Sequence, residues 1–241
     1  YMATRNEKDT TRARANILRE MLTNSAKRNR FDHKEILEEM DLCLSCKGCK
    51  SECPSNVDIA KLKSEFLYQY QKSNGVTFRT RLIANMAKAN KMAAIIPGFY
   101  NFMMTNEATS SLIKSIAGFS QDRSMPQLYK TTLHRWFIKN KNRLHKHLSP
   151  NAAKVWLFND EFTNYQDTLV GIKTIELLSA LGYQVDIPDH QQSGRTYISK
   201  GLLAEAEILA KKNVKQLSPL VSPETPIIGI EPSAILTLRD E

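Results

Sequence analysis

All four cysteines of the 241-residue chain fall within eleven residues, and this clustering limits the possible folds more than any other feature. A disulfide framework spreads its cysteines to staple distant segments, so the clustering argues for a metal centre and a reducing compartment. The run Cys43-Leu-Ser-Cys46-Lys-Gly-Cys49-Lys-Ser-Glu-Cys53-Pro54 reads C-x2-C-x2-C-x3-C-P, a spacing that holds an iron-sulfur cube. Two-residue gaps let three thiolates wrap three corners of one cube. Loop amides, helped by Gly48, can point at the sulfides, and Pro54 turns the chain away. A zinc site more often presents two C-x2-C pairs a dozen or more residues apart, and a redox pair needs only one. The expected ligands are therefore Cys43, Cys46, Cys49 and Cys53, and the expected cofactor is a [4Fe-4S] cluster. A zinc-stabilised interaction module remains the alternative from another class. Lys47 and Lys50 flank the thiolates and either raise the potential or are merely solvated.

Around this run the chain reads as helix. Ile17, Leu18, Met21 and Leu22 share a face over Thr10–Thr23, with Arg12, Arg14 and Arg19 on its back. His33–Leu42 supplies a short helix into Cys43. Ile59, Leu62, Phe66 and Leu67 recur at helical spacing over Val57–Lys72, which Ser55 or Asn56 can cap. Further helices are expected over Phe78–Ile96, Phe99–Phe119 and Gln127–Lys139. The apolar positions between Leu82 and Met103 are read as helix faces packing together, with a basic, apolar membrane-surface segment as the other reading.

The pattern changes near Pro150. Residues 1–150 hold 26 Lys/Arg against 13 Asp/Glu, and the rest of the chain 8 against 12. Val155-Trp156-Leu157-Phe158, Val185–Ile187 and Ile227–Ile230 read as strands, separated by helices over Gln166–Leu181 and Thr196–Leu217. Such β-α-β-α-β alternation requires a parallel sheet. The expected fold is an α-helical ferredoxin-like domain (1–96), a helical connector (97–150) and a truncated α/β domain with a parallel sheet (151–241). His190 follows the second strand, at the edge where open α/β sheets place their sites. It leads into Gln191-Gln192-Ser193-Gly194-Arg195, read as an ordinary strand-to-helix turn with anion binding as the other reading. His134, His145 and His147 lack carboxylate or cysteine company and are read as surface or core residues. No nucleotide-binding loop motif is present, and no basic cluster alternates with aromatics as a single-strand groove requires, so no nucleic-acid partner is expected. No apolar run approaches the roughly 20 residues of a membrane span. The chain starts without methionine or secretory leader and ends soon after its third strand, and so reads as a piece of something longer.

The run Cys43–Pro54 continuing into Ser55-Asn-Val-Asp-Ile-Ala-Lys-Leu-Lys-Ser-Glu-Phe-Leu67, together with the opening residues 1–20, resembles the iron-sulfur half of FAD-linked oxidase fusion proteins of the D-lactate and glycolate dehydrogenase-like family. The resemblance implies a flavin domain and another cysteine run upstream, with Cys53 serving that second cluster. It also implies electron transfer for a flavin-dependent dehydrogenase of a 2-hydroxy acid such as lactate, glycolate or 2-hydroxyglutarate. Phe158–Tyr165 and Gly229-Ile-Glu-Pro-Ser233 resemble the cysteine-rich CCG domain shared with heterodisulfide reductase. Here, however, Gln191, Gln192, Ser193 and Ala234 stand where cysteines are expected, which reduces that unit to docking or scaffolding. A separate iron-sulfur subunit of a glycerol-3-phosphate dehydrogenase or heterodisulfide reductase-like complex is the alternative. The implied partners are an FAD-binding domain in the same chain or a partner subunit, an unnamed electron acceptor and a peripheral membrane contact. The implied location is cytoplasmic, at the inner face of the membrane.

Overall fold

The computed structural model describes residue 2 and residues 4–240; Tyr1, Ala3 and Glu241, which belong to the expected outer segments, lie outside the described residues. The structure is mostly helical with one small parallel sheet. It divides into two compact units, Tyr1–Arg81 with Tyr197–Ala204, and Leu82–Thr196 with Glu205–Glu241.

In the first unit α1 (Thr11–Asn24) begins where the Thr10 hydroxyl accepts from the Ala13 N–H at 3.2 Å, satisfying a donor the helix cannot. Next come α2 (Lys34–Asp41), the five-residue α3 (Gly48–Glu52) and α4 (Ile59–Asn74). Asp58 caps α4 by accepting from the Lys61 N–H at 3.0 Å, so the cap falls beyond the expected Ser55 or Asn56. Leu18, Met21, Ile36, Met40, Phe66 and Leu67 form the core, each contributing about 2 kcal/mol by leaving water. Arg14 is buried, not on a solvated back: its Nε donates to the Glu39 carbonyl at 3.0 Å, near the end of α2 where helix carbonyls lack partners. The segment 197–204 completes this unit. Gly201 adopts φ +70°, and Gln71 Nε2 donates to the Lys200 carbonyl at 2.8 Å.

The expected helix over Phe78–Ile96 divides into α5 (Phe78–Ala84) and α6 (Met86–Ala93). Asn85 leaves helical geometry at φ −94°, ψ 15°, and the Ala84 carbonyl accepts from the Thr196 hydroxyl at 2.9 Å. Phe99–Phe119 likewise divides into α7 (Pro97–Thr105) and α8 (Glu107–Ala117) because Asn106 caps α8, its side chain accepting from the Thr109 N–H at 3.3 Å. Each break resets the helical phase, so no common stripe forms. Met92, Ile95, Ile96, Phe99 and Phe102 remain 59–74% exposed, which corrects the expectation that these faces pack together.

Thr132 caps α9 (Leu133–His145). The remaining elements are β1 (Lys154–Phe158), α10 (Glu161–Tyr165), α11 (Thr168–Ala180), β2 (Gln184–Asp186), α12 (Arg195–Ser199), α13 (Leu203–Leu217), β3 (Ile227–Gly229), α14 (Pro232–Ile235) and α15 (Thr237–Asp240). The expected long helix over Thr196–Leu217 is interrupted between α12 and α13, where Gly201 takes its left-handed conformation. All three strands pair in parallel in the order β2-β1-β3, with Val155 opposite Val185 and Leu157 opposite Ile228. Leu133, Phe137 and Leu144 of α9 pack with Ile172 and Ile175 of α11 onto Val155, Leu157 and Val185. Phe158, Leu217 and Ala234 form a second cluster. Gly171 permits the contact between α11 and α9, since a Cβ there would lie 2.5 Å from Leu133 Cδ2.

Candidate metal centre

The cysteine run occupies the segment between α2 and α4. The Cys43 N–H still donates to Met40 O at 3.1 Å, so α2 delivers this residue directly into the loop. Cys46 is exposed; Cys43, Cys49 and Cys53 are half-buried, and none is in a disulfide. Ser45 and Lys47, on either side of Cys46, take φ +55° and +60°, and Asn56 takes +53°. At Ser45 and Lys47 this costs about 1–2 kcal/mol each relative to right-handed backbone, whereas asparagine tolerates it readily. Strain of this kind gathers at sites where geometry matters more than local comfort. A Cβ on Gly48 would sit 3.7 Å from Cys46 Sγ, an ordinary contact, and no positive φ requires glycine there.

The backbone N–H groups of Val57 and Ser55, which follow it, hold the Cys53 thiol below the ordinary cysteine range, while the Asn56 N–H donates to the Cys53 carbonyl at 2.9 Å. Pro54 has no N–H, so the chain passes it before presenting these donors. Donors of this kind favour a thiolate, the form that binds metal. The Lys47 ammonium lies 4.0 Å from Asp58 Oδ2, linking the loop to the cap of α4. Lys63, only 8% exposed, reaches from α4 to donate to the Cys43 carbonyl at 2.6 Å. Burial lowers its pKa, while the nearby Cys43 and Asp41 pull it back up.

Among the described residues, no group of three or more His, Cys, Asp or Glu side chains is gathered closely enough to hold one metal ion. A cube makes a different demand, because each thiolate binds a separate iron and the four stay further apart than the ligands of one ion. Four free thiols in one loop are the soft donors that iron-sulfur clusters take. Lys63 and Asp58 escaped the sequence reading. A lysine on the same helix face as Ile59, Phe66 and Leu67 was the available signal.

His190 belongs to a separate constellation. Its ring stacks on Phe158 at 4.3 Å; Nε2 accepts from the Asn159 N–H at 3.1 Å and Nδ1 donates to the Gln191 carbonyl at 2.6 Å. Both nitrogens are used by a neutral ring, and burial lowers its pKa. Glu161 accepts from the Ser193 N–H at 2.9 Å and the Ser193 hydroxyl at 2.7 Å, and that hydroxyl accepts from the Arg195 N–H at 3.0 Å. The loop is filled by the chain's own Glu161 carboxyl group, whose pKa burial raises. His145 is structural as well, its Nε2 lying 3.0 Å from the Val185 carbonyl.

Residues 1–58, which include all four cysteines, match the family described as 4Fe-4S dicluster domain. The chain is similar to the D-2-hydroxyglutarate dehydrogenase of Escherichia coli, 27% identical over 218 residues that cover 88% of this chain and 21% of that protein. The protein of the same name from Pantoea ananatis is 28% identical over 225 residues, covering 88% and 21%. That of Pseudomonas putida is 27% identical over 228 residues, covering 91% and 23%. The chain thus spans about a fifth of the length of the curated relatives it matches. No solved structure matches it.

Proposed function

We propose, from a chain that carries a 4Fe-4S dicluster domain and is related to D-2-hydroxyglutarate dehydrogenases, that it is the electron-transfer segment of a flavin-dependent dehydrogenase of a 2-hydroxy acid. The substrate class is lactate, glycolate or 2-hydroxyglutarate, and the relatives favour the last. Cys43, Cys46 and Cys49 hold one [4Fe-4S] cluster, and Cys53 serves a second whose other ligands lie elsewhere in the enzyme. When bound, such clusters supply one-electron carriers between a flavin and an acceptor. The observation that carries this reading is the loop of four free cysteines, held in left-handed backbone at Ser45 and Lys47 on either side of Cys46.

The protein's own part is to hold thiolates in place. The N–H groups at Cys53 favour its ionised form; Lys63 anchors the Cys43 carbonyl, and Lys47 ties the loop to α4 through Asp58. The first unit is ferredoxin-like in this reading, and the α/β unit acts as a dock for other parts of the enzyme. A peripheral contact with an anionic membrane is a second reading, favoured by the exposed Met92, Ile95, Ile96, Phe99 and Phe102 beside Lys88 and Lys91. No helix among the described residues is long and apolar enough to cross a membrane.

Iron, acid-labile sulfide, flavin and zinc measured on anaerobically purified full-length protein test the proposal. About eight irons per chain with flavin absorption support it. Stoichiometric zinc without visible colour overturns it in favour of a zinc-stabilised module. Flavin on a separate polypeptide would instead make the protein an iron-sulfur subunit. Cosedimentation with anionic but not neutral vesicles tests the membrane contact.

A further inference from the structure

The carboxyl ends of β1 and β2 open into a cleft of about 690 Å³, and every residue lining it belongs to the second unit. The strand order β2-β1-β3 gives this position its significance. The chain leaves central β1 for β2 on one side, then passes back across β1 to reach β3. Right-handed crossovers taken in opposite directions lie on opposite faces, so the loops after β1 and β2 diverge and leave a crevice between them.

The lining is basic and incompletely bonded. Lys88, Lys91, Arg135 and Lys212 contribute positive charge against Glu161 and Asp189. Glu161 is already engaged by Ser193, and neutral His190 adds no charge. Asn159 and Gln192 also line the cleft; their side-chain oxygens are buried behind its surface without a hydrogen-bond partner, while Asn159 Nδ2 is held by Asn164 and Gln191 N–H by Asn213. The cationic side chains are therefore the groups the cleft offers a ligand.

We infer that this cleft binds a small dianion, its acidic groups paired with Lys91, Arg135 and Lys212. A dicarboxylate and a phosphate ester share that chemistry. The inference does not rest on the iron-sulfur reading, since no cysteine lines the cleft.

Hydrogen exchange of the full-length protein, followed by mass spectrometry, tests it with tartrate, glycerol phosphate and neutral glycerol as probes. Tartrate, glycerol phosphate or both should slow exchange in residues 159–166 and 187–195, and glycerol should not. Protection by tartrate alone assigns a dicarboxylate; protection by glycerol phosphate alone assigns a phosphate ester. Lys91 and Lys212 are exposed, so Lys91→Glu and Lys212→Glu should preserve the circular dichroism spectrum. Each reversal should weaken the protecting probe about tenfold. Absence of protection by both anions at about 10 mM, or protection undiminished in the double variant, overturns the proposal.

Discussion

Gly201→Ala tests the packing of segment 197–204 on the helix that follows the cysteine loop. Two separate penalties are visible at this position. Gly201 has φ +70°, which for alanine costs about 1–2 kcal/mol. A Cβ there would also lie 2.4 Å from Leu67 Cβ and 2.9 Å from the Leu67 carbonyl carbon and the Tyr68 nitrogen. Those are backbone and near-backbone atoms of α4, which no rotamer change can move, and overpacking of this kind costs about 1–3 kcal/mol. The sum is about 2–5 kcal/mol. With a urea slope near 2 kcal/mol/M, the unfolding midpoint should fall by about 1–2.5 M. Gly75→Ala gives a comparison without steric contact, because an added Cβ there would meet no atom within 4 Å; its backbone (φ +78°, ψ 171°) lies in a region nearly exclusive to glycine, so it should lose about 1–3 kcal/mol of conformational origin. The assay is urea unfolding of both variants by far-ultraviolet circular dichroism. A fall of less than about 1 M in the Gly201→Ala midpoint would refute the close approach of this segment to α4.

Other outcomes follow from the two sites. Cys46→Ser should remove one cluster, with about half of the iron and of the visible cluster absorption, while Cys53→Ser should remove the other; full iron retention in Cys46→Ser would defeat the ligand assignment. Lys63→Met removes the donor to the Cys43 carbonyl while keeping an apolar stem; cluster absorption in air should bleach faster than in the parent, and an unchanged rate would deny Lys63 its anchoring role. Glu161→Ala strands the Ser193 N–H and hydroxyl and should cost about 2–4 kcal/mol. Trp136 and Trp156, both in the second unit, report this by fluorescence during urea unfolding, and a midpoint unchanged from the parent would refute it. Asp186 is desolvated, yet Lys141 at 2.5 Å and Lys154 at 3.5 Å overcome that burial and hold its pKa below the ordinary aspartate value. Its contribution is therefore present above the ordinary value and lost as pH falls through the native one. The tryptophan-monitored midpoint should drop below roughly pH 4 in the parent and drop less in Asp186→Asn; identical acid limbs would contradict the pairing.

The sequence was most legible where chemistry depends on neighbours along the chain. The cysteine spacing, the apolar periods of α1, α2 and α4, and the alternation that yields three parallel strands are all local patterns, and each element forms close to its expected place. Helix ends were less legible because caps compete. Asp58 prevailed over Ser55 and Asn56, and Asn106 divided a segment whose apolar period continues straight through it.

What the sequence determined alone was residue type at fixed separation: four thiols in one run, a basic helical part, and a β-α-β-α-β order. Tertiary structure decided the partners, because these come from residues far apart in the chain. Lys63 reaches Cys43 across twenty positions, Glu161 fills the loop at Ser193 across thirty-two, and 197–204 returns to α4 across more than a hundred. Whether Met92 through Phe102 lie inside or outside was likewise undecidable from periodicity, since a period shows that a helix has an apolar face and says nothing about what covers it. The physical reason is common to all of these. Backbone preference acts over a few residues, whereas burial and hydrogen-bond satisfaction are settled only when distant segments meet.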